Sequence, residues 1–328
     1  MDQQRSLRMG AMAILCALVL RLWAVGFFDP AFRMLAQPQV AAVLLYLETG
    51  RAVRPVVTTL PPQTEPVQTQ PLSTQPPLSL TDTSLVDITY DCSYRPDIQA
   101  LLQSPLNWDL TGEAPSVLIL HTHATESYTR QEGQNYEETA DYRTLDENYN
   151  MIRVGQRLTE LLEAGGIRVI HDRTLHDYPS YNGSYSNARQ TIARYLSENP
   201  SIRLELDLHR DAAEDSYGNQ IAAVTAWQGK EYARLMLVVG SDDSGLDHPQ
   251  WQENLSLGLK LQAALETELP GICRSMDFCA QRFNQDMSPG ALLIEMGAAG
   301  NTLDQALASA EVLARAVLAL ARGCNTDP

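Results

Sequence analysis

From Asp82 onward the sequence predicts an α/β fold, a mainly parallel sheet flanked by helices on both faces. Three observations carry this. Short apolar runs of strand length alternate with longer segments of helical period, Gly, Asn and Pro punctuate the joins, and no internal repeat recurs at a fixed period. SVLIL (116–120) is the first buried-strand run. Met151 to Ala164 has helical spacing that stops at Gly165-Gly166, and IRVI (167–170) reads as the next strand. A helix follows around Ser186 to Ser197, ending before Asn199-Pro200, and then the strand LELDL (204–208). The last part repeats the theme with a strand ARLMLVVG (233–240), a helix Trp251 to Glu268, a strand ALLIEMG (291–297) and an Ala/Leu-rich helix from Thr302 to Arg322.

The chain before this region is different in kind. Residues 9–28 form a nearly continuous apolar run with Arg5 and Arg8 before it and Asp29-Pro30 after it. Some twenty helical residues rise about 30 Å, enough to cross a hydrocarbon core, so residues 1–30 are expected to be a single transmembrane anchor. The one discordant residue is Arg21, placed near Trp23 where it can snorkel. By the positive-inside rule the N-terminus stays cytoplasmic and the rest is extracytoplasmic, in the cell membrane. Residues 31–81 are expected to hold a short helix after Pro38 and then a linker. Pro55, Pro61, Pro62, Pro66, Pro71, Pro76 and Pro77 lie there among Thr, Gln and Ser, a composition that cannot bury enough apolar surface to fold. Residues 82–328 are then the folded, extracytoplasmic domain.

Composition narrows the partners. The 328-residue chain has 24 Lys+Arg against 40 Asp+Glu, a formal charge of −16, which argues against nucleic acid because phosphate binding needs clustered cations. Five cysteines without a CxxC pair exclude a disulfide scaffold and a zinc finger. A bridge between Cys273 and Cys279, or from either to Cys92, is the remaining disulfide expectation.

Ligands of open α/β sheets bind beyond the carboxyl ends of the strands, so the polar residues that follow each strand are the informative ones. After SVLIL comes His121-Thr122-His123-Ala124-Thr125-Glu126; after LELDL comes His209-Arg210-Asp211; and Glu295 is the lone charge inside ALLIEMG. Two imidazoles and a carboxylate suit Zn2+, with His123, Glu126 and His209 as ligands and a fourth position left open, as catalytic zinc requires. HxxE by itself is a weak motif. Its weight comes from all three elements ending at one sheet edge. Glu295, costly to bury unless paired or working, is the candidate general base.

Other residues rank lower. His121 is an alternative ligand or an outer support for the site, and Asp146 with Glu147 is an alternative source of the acidic ligand. His171, His176 and His248 read as surface residues. Thr125, Ser127 and Ser288 lack the G-x-S-x-G elbow of a serine hydrolase.

The runs LILHTHATESY, DLHRDA and FNQDMSPGALLIEMG resemble three blocks of the stage II sporulation protein P family, in order. The resemblance covers about residues 115–320. It implies a zinc N-acetylmuramoyl-L-alanine amidase fold that removes stem peptides from peptidoglycan during sporulation engulfment, an added endopeptidase activity, and partnership with the stage II sporulation proteins D and M. Its metal-binding histidines match His123 and His209, and its catalytic carboxylate matches Glu295. The acidic ligand is taken as Glu126, which resembles the HxxE form of zinc carboxypeptidases; Asp146, ahead of the Asn150-Met151 pair that resembles the helix start of related amidases, is the alternative. Arg210 and Asn284 are candidate contacts to substrate. Two rivals remain: a zinc carboxypeptidase or endopeptidase acting on cross-links, and an inactive wall-binding domain.

Overall fold

The structure is a computed structural model and describes residues 80–106 and 109–323. Strict alternation in Leu204-Glu205-Leu206-Asp207-Leu208-His209 sends three leucines to one side of strand β4 (Leu204–Asp211) and three polar residues to the other. That strand lies between β9 and β2 in a seven-stranded sheet whose order is β1-β8-β7-β9-β4-β2-β3. The remaining strands are β1 (Ile88–Asp91), β2 (Val117–Leu120), β3 (Val169–His171), β7 (Met236–Val239), β8 (Met276–Cys279) and β9 (Ala291–Ala298). Neighbours run parallel throughout except at β7 and β9, which are antiparallel with Met236 opposite Glu295. A separate two-stranded ribbon, β5 (Val224–Trp227) and β6 (Lys230–Ala233), lies between β4 and β7 in the chain.

The helices α1 (Ile98–Gln103), α2 (Met151–Ala164), α3 (Ser184–Glu198), α4 (Trp251–Glu268) and α5 (Leu303–Gly323) complete the described fold. Asn150 caps α2 by accepting a hydrogen bond from Ile152 N, and Gly166 leaves it at φ 91°, so the sequence punctuation marks both ends. The cover of the sheet is lopsided. Leucines of β4 join Val117, Ile119, Leu292 and Ile294 in one large core under α2, α4 and α5. The other face carries a small cluster, Leu118, Leu120 and Ile202 against Ala188 and Ile192 of α3. Helices on both faces is therefore the right description, but the thin side leaves room for a site.

The single-pass anchor is corrected here. Among the described residues no helix is long and apolar enough to cross a membrane. Only α4 and α5 have the length, and they carry Glu253, Lys260, Glu266 and Glu268, and Asp304, Glu311, Arg315 and Arg322 respectively. The membrane localisation is not retained, and residues 9–28, on which it rested, lie outside the described residues with nearly all of the expected linker. The expected disulfide is absent too, since Cys92, Cys273 and Cys279 are free thiols. The run ARLMLVVG is split, its first residue ending β6 and Met236 opening β7.

Gly155, in the middle of α2, lets the helix lie directly on two imidazoles that meet edge-to-face. A Cβ there would stand 2.5 Å from Nε2 of both His121 and His171. Alanine normally stabilises a helix interior by about 1 kcal/mol over glycine, whereas overpacking a fixed core costs about 1–3 kcal/mol. Gly155→Ala is expected to lower the urea midpoint despite its better helix propensity; an unchanged or higher midpoint would show that the histidine pair yields freely.

Candidate functional site

Parallel pairing of β9, β4 and β2 brings three carboxyl ends to one edge. His209 and Glu295 are register partners on β4 and β9, so their side chains emerge side by side on the thinly covered face. β2 ends at Leu120, and the turn beyond it returns His123 and Glu126 to the same place. The rings of His123 and His209 stand 5.2 Å apart, nearly perpendicular. Glu126 Oε2 lies 4.0 Å from His209 Nδ1. All three side chains are buried.

The second shell of contacts fixes each group. Glu126 accepts the backbone N–H of Arg210 at Oε2 (3.1 Å) and pairs with Arg143 at Oε1 (3.2 Å). Arg143 is held in turn by Asp177 (2.7 Å). Asp207 accepts from Thr122 N (2.8 Å) and Thr122 Oγ1 (2.6 Å), and its Oδ1 lies 3.0 Å from His209 Nε2. That last contact is out of line for a hydrogen bond, so it is charge pairing rather than a directional bond. Tyr181 stacks on His123 at 4.6 Å while its ring remains 56% exposed, and Tyr185 meets the same imidazole edge-on.

Electrostatics separate the roles. Burial, then the nearby His209 and Arg143, lower the His123 pKa to about 4 and keep the imidazole neutral. Burial also disfavours the His209 cation, but the Asp207 carboxylate, with Glu126 and Glu295, outweighs it and lifts the pKa to about 9. Glu295 is raised to about 8 by burial, against the pull of His209 and with the push of Glu126. The edge thus gathers a neutral imidazole, a charged one and a carboxyl poised near neutrality.

No three His, Cys, Asp or Glu side chains among the described residues are arranged as a formed metal site. The donor chemistry nevertheless suits Zn2+. His123 Nδ1, His209 Nε2 and Glu295 Oε2 are buried without a hydrogen-bond partner, and such orphaned atoms are costly unless something else satisfies them.

Other expected residues fall elsewhere. Asp146 accepts from Asn148 ahead of α2, and the carboxylate that meets His209 is Glu126. His121 sits behind the site, with Nδ1 3.1 Å from Leu208 O and Nε2 2.9 Å from His171 Nε2. His176 and His248, expected on the surface, are buried, and His171 is half-buried. His176 reaches the carbonyl of His121 and the hydroxyl of Thr191. Asn284, in the left-handed region at φ 61°, donates to Tyr185 O (2.8 Å). Arg210 donates from Nε to Ser127 O and from Nη2 to Tyr142 O. Asp207, Arg143, Asp177 and Tyr181 were not anticipated. The alternation of LELDLH was the available signal for Asp207; the other three come from loops that no period marks.

These observations define an α/β protein with a buried histidine and carboxylate cluster at the carboxyl edge of its parallel strands. The chain belongs to the stage II sporulation protein P family, whose model matches residues 63–318. A curated relative, stage II sporulation protein P of Bacillus subtilis (strain 168), is 28% identical over 209 residues, 60% of this chain. The match spans about half, 48%, of that relative's length. Among solved structures, the CwlD amidase from Clostridioides difficile in complex with the GerS lipoprotein aligns at 16% identity and TM-score 0.37, covering 63% of this chain and 95% of that one. The N-acetylmuramoyl-L-alanine amidase AmiC2 of Nostoc punctiforme aligns at 13% identity and TM-score 0.36, covering 65% and 97%. At these scores the likeness is too remote for anything about the chemistry of this chain to follow from it.

Glu205, two residues before Asp207 on the same face, provides a test of how dry this side of the sheet is. Burial, with Asp207 and Asp286 nearby, raises its pKa to about 8, and Oε2 has no hydrogen-bond partner. A carboxyl whose folded pKa exceeds its unfolded value costs stability as pH rises from the unfolded pKa to the folded one. Glu205→Gln should therefore gain stability over the wild type between pH 4.5 and 8 and hold that gain above. Urea midpoints at pH 5 and 8.5 measure it, and a difference that does not grow with pH would mean that water reaches Glu205.

Proposed function

We propose that the chain is a zinc-dependent peptidoglycan hydrolase cleaving the amide between N-acetylmuramic acid and the L-alanine of the stem peptide. The observation that carries the reading is the convergence of His123, Glu126, His209 and Glu295 at the carboxyl ends of three parallel strands, with His123 Nδ1, His209 Nε2 and Glu295 Oε2 buried without a hydrogen-bond partner. Family membership supports a role in sporulation, and the cell-wall substrate is what the resemblance of the three sequence blocks implies.

His123, Glu126 and His209 would hold the metal, which when bound supplies Lewis acidity toward water and an amide carbonyl. The rest is done by the chain. The Arg210 backbone N–H together with Arg143 fixes Glu126. Glu295 accepts a proton from the attacking water and delivers it to the leaving amine nitrogen.

Mass spectrometry of digested peptidoglycan tests the proposal. Whole stem peptides beginning at L-alanine are expected, and products that leave residues on the sugar would instead assign the peptidase reaction. Glu295→Gln is expected to lower the rate by at least 100-fold, within the range of a lost general base, while the protein still binds one zinc per chain. Full activity in that variant, or unchanged activity after chelation, would overturn the proposal.

A further inference from the structure

Arg210 follows His209 on β4, and its side chain is almost wholly buried, 5% exposed. Its guanidinium donates to two neutral carbonyls, Ser127 O and Tyr142 O, both at 2.9 Å, and forms no ion pair among the described residues. A buried cation without a counter-ion costs several kcal/mol, so it is uncommon away from a site that receives an anion. Its neighbour Arg143 is different, being neutralised by Glu126 and Asp177.

Both arginines, each of which contacts Glu126, line a cleft of about 580 Å³ with walls from the loop after β4. Asp141 and Glu214 also line it, but both are exposed, and Glu214 already accepts from Gln220 Nε2 at 2.7 Å. Water screens exposed carboxylates far more than it screens a buried guanidinium. Of the charged side chains that line the cleft, Arg210 alone is buried and outside any ion pair among the described residues.

We propose that the cleft is a subsite for a carboxylate of the substrate peptide, with Arg210 as its ion-pair partner. The identity of the peptide rests on the hydrolase reading above; the charge preference does not. In a stem peptide the residue after L-alanine is linked through its side chain and keeps a free α-carboxylate, which places an anion one residue beyond the amide to be cut. Planar guanidinium and carboxylate groups form paired hydrogen bonds, so recognition would select the acid over its amide.

Calorimetry on the full chain carrying Glu295→Gln tests this with two muramyl dipeptides, one with the second-residue carboxylate free and one with it amidated. The acid is expected to bind about tenfold to a hundredfold more tightly, as for a hydrogen-bonded charge. Arg210→Lys should keep part of that preference and Arg210→Gln should abolish it. Equal affinities with Arg210 intact, or binding of neither ligand, overturn the subsite, and that comparison needs no variant at Arg210. If the wild type releases stem peptides without preferring the acid, the hydrolase reading stands and the subsite falls. An acid preference in a protein that releases nothing leaves the subsite standing and removes the hydrolase.

Discussion

The pairing of β4 with β9 is the constraint on which the rest of the molecule depends. It sets His209 against Glu295 and, in the same register, sets Leu206 and Leu208 against Leu292 and Ile294 in the main core. A slip of one residue would bury the polar set and expose the leucines. Site geometry and core packing are therefore one decision, made by the alternation of a single strand.

The consequence is a sheet with two unlike faces. Under α2, α4 and α5 lies an apolar core with ordinary packing. Across from it, Glu205, Asp207, His209 and Glu295 are withdrawn from water with few partners, and their protonation states are set by each other. Charged groups crowded in this way lower stability, and the thick hydrophobic layer offsets that cost. A site able to shift the affinity of a carboxyl for its proton needs such a dry face.

Much of this was legible in the residues. The helices at Met151 and Trp251 begin where the sequence marks them, the parallel strands follow from their apolar runs, and His123, His209 and Glu295 meet because strand ends meet. What escaped had no periodic mark. β1 and β8 are four-residue strands whose membership of the sheet depends on distant pairing, and the β5–β6 ribbon is mostly exposed, with no apolar pattern of its own. Burial of His171 and His176 was hidden for the same reason: their partners His121 and Thr191 lie at other points of the chain. The apolar N-terminal run lies outside the described residues, and among those described no helix is long and apolar enough to cross a membrane.

The antiparallel strand β7 has a consequence for how the protein can vary. A parallel successor to β4 would have to send the chain back across the sheet, normally through a helix. Because β7 starts beside Glu295, residues 212–235 leave and re-enter at the same edge and never make that crossing. They are free to form a rim, and Ala212, Glu214, Gly218, Asn219 and Gln220 line the cleft there. Insertions or deletions at residues 212–220 would reshape what the cleft admits while leaving the pairing of the seven strands in place. Relatives can thus diverge in diet while sharing one skeleton.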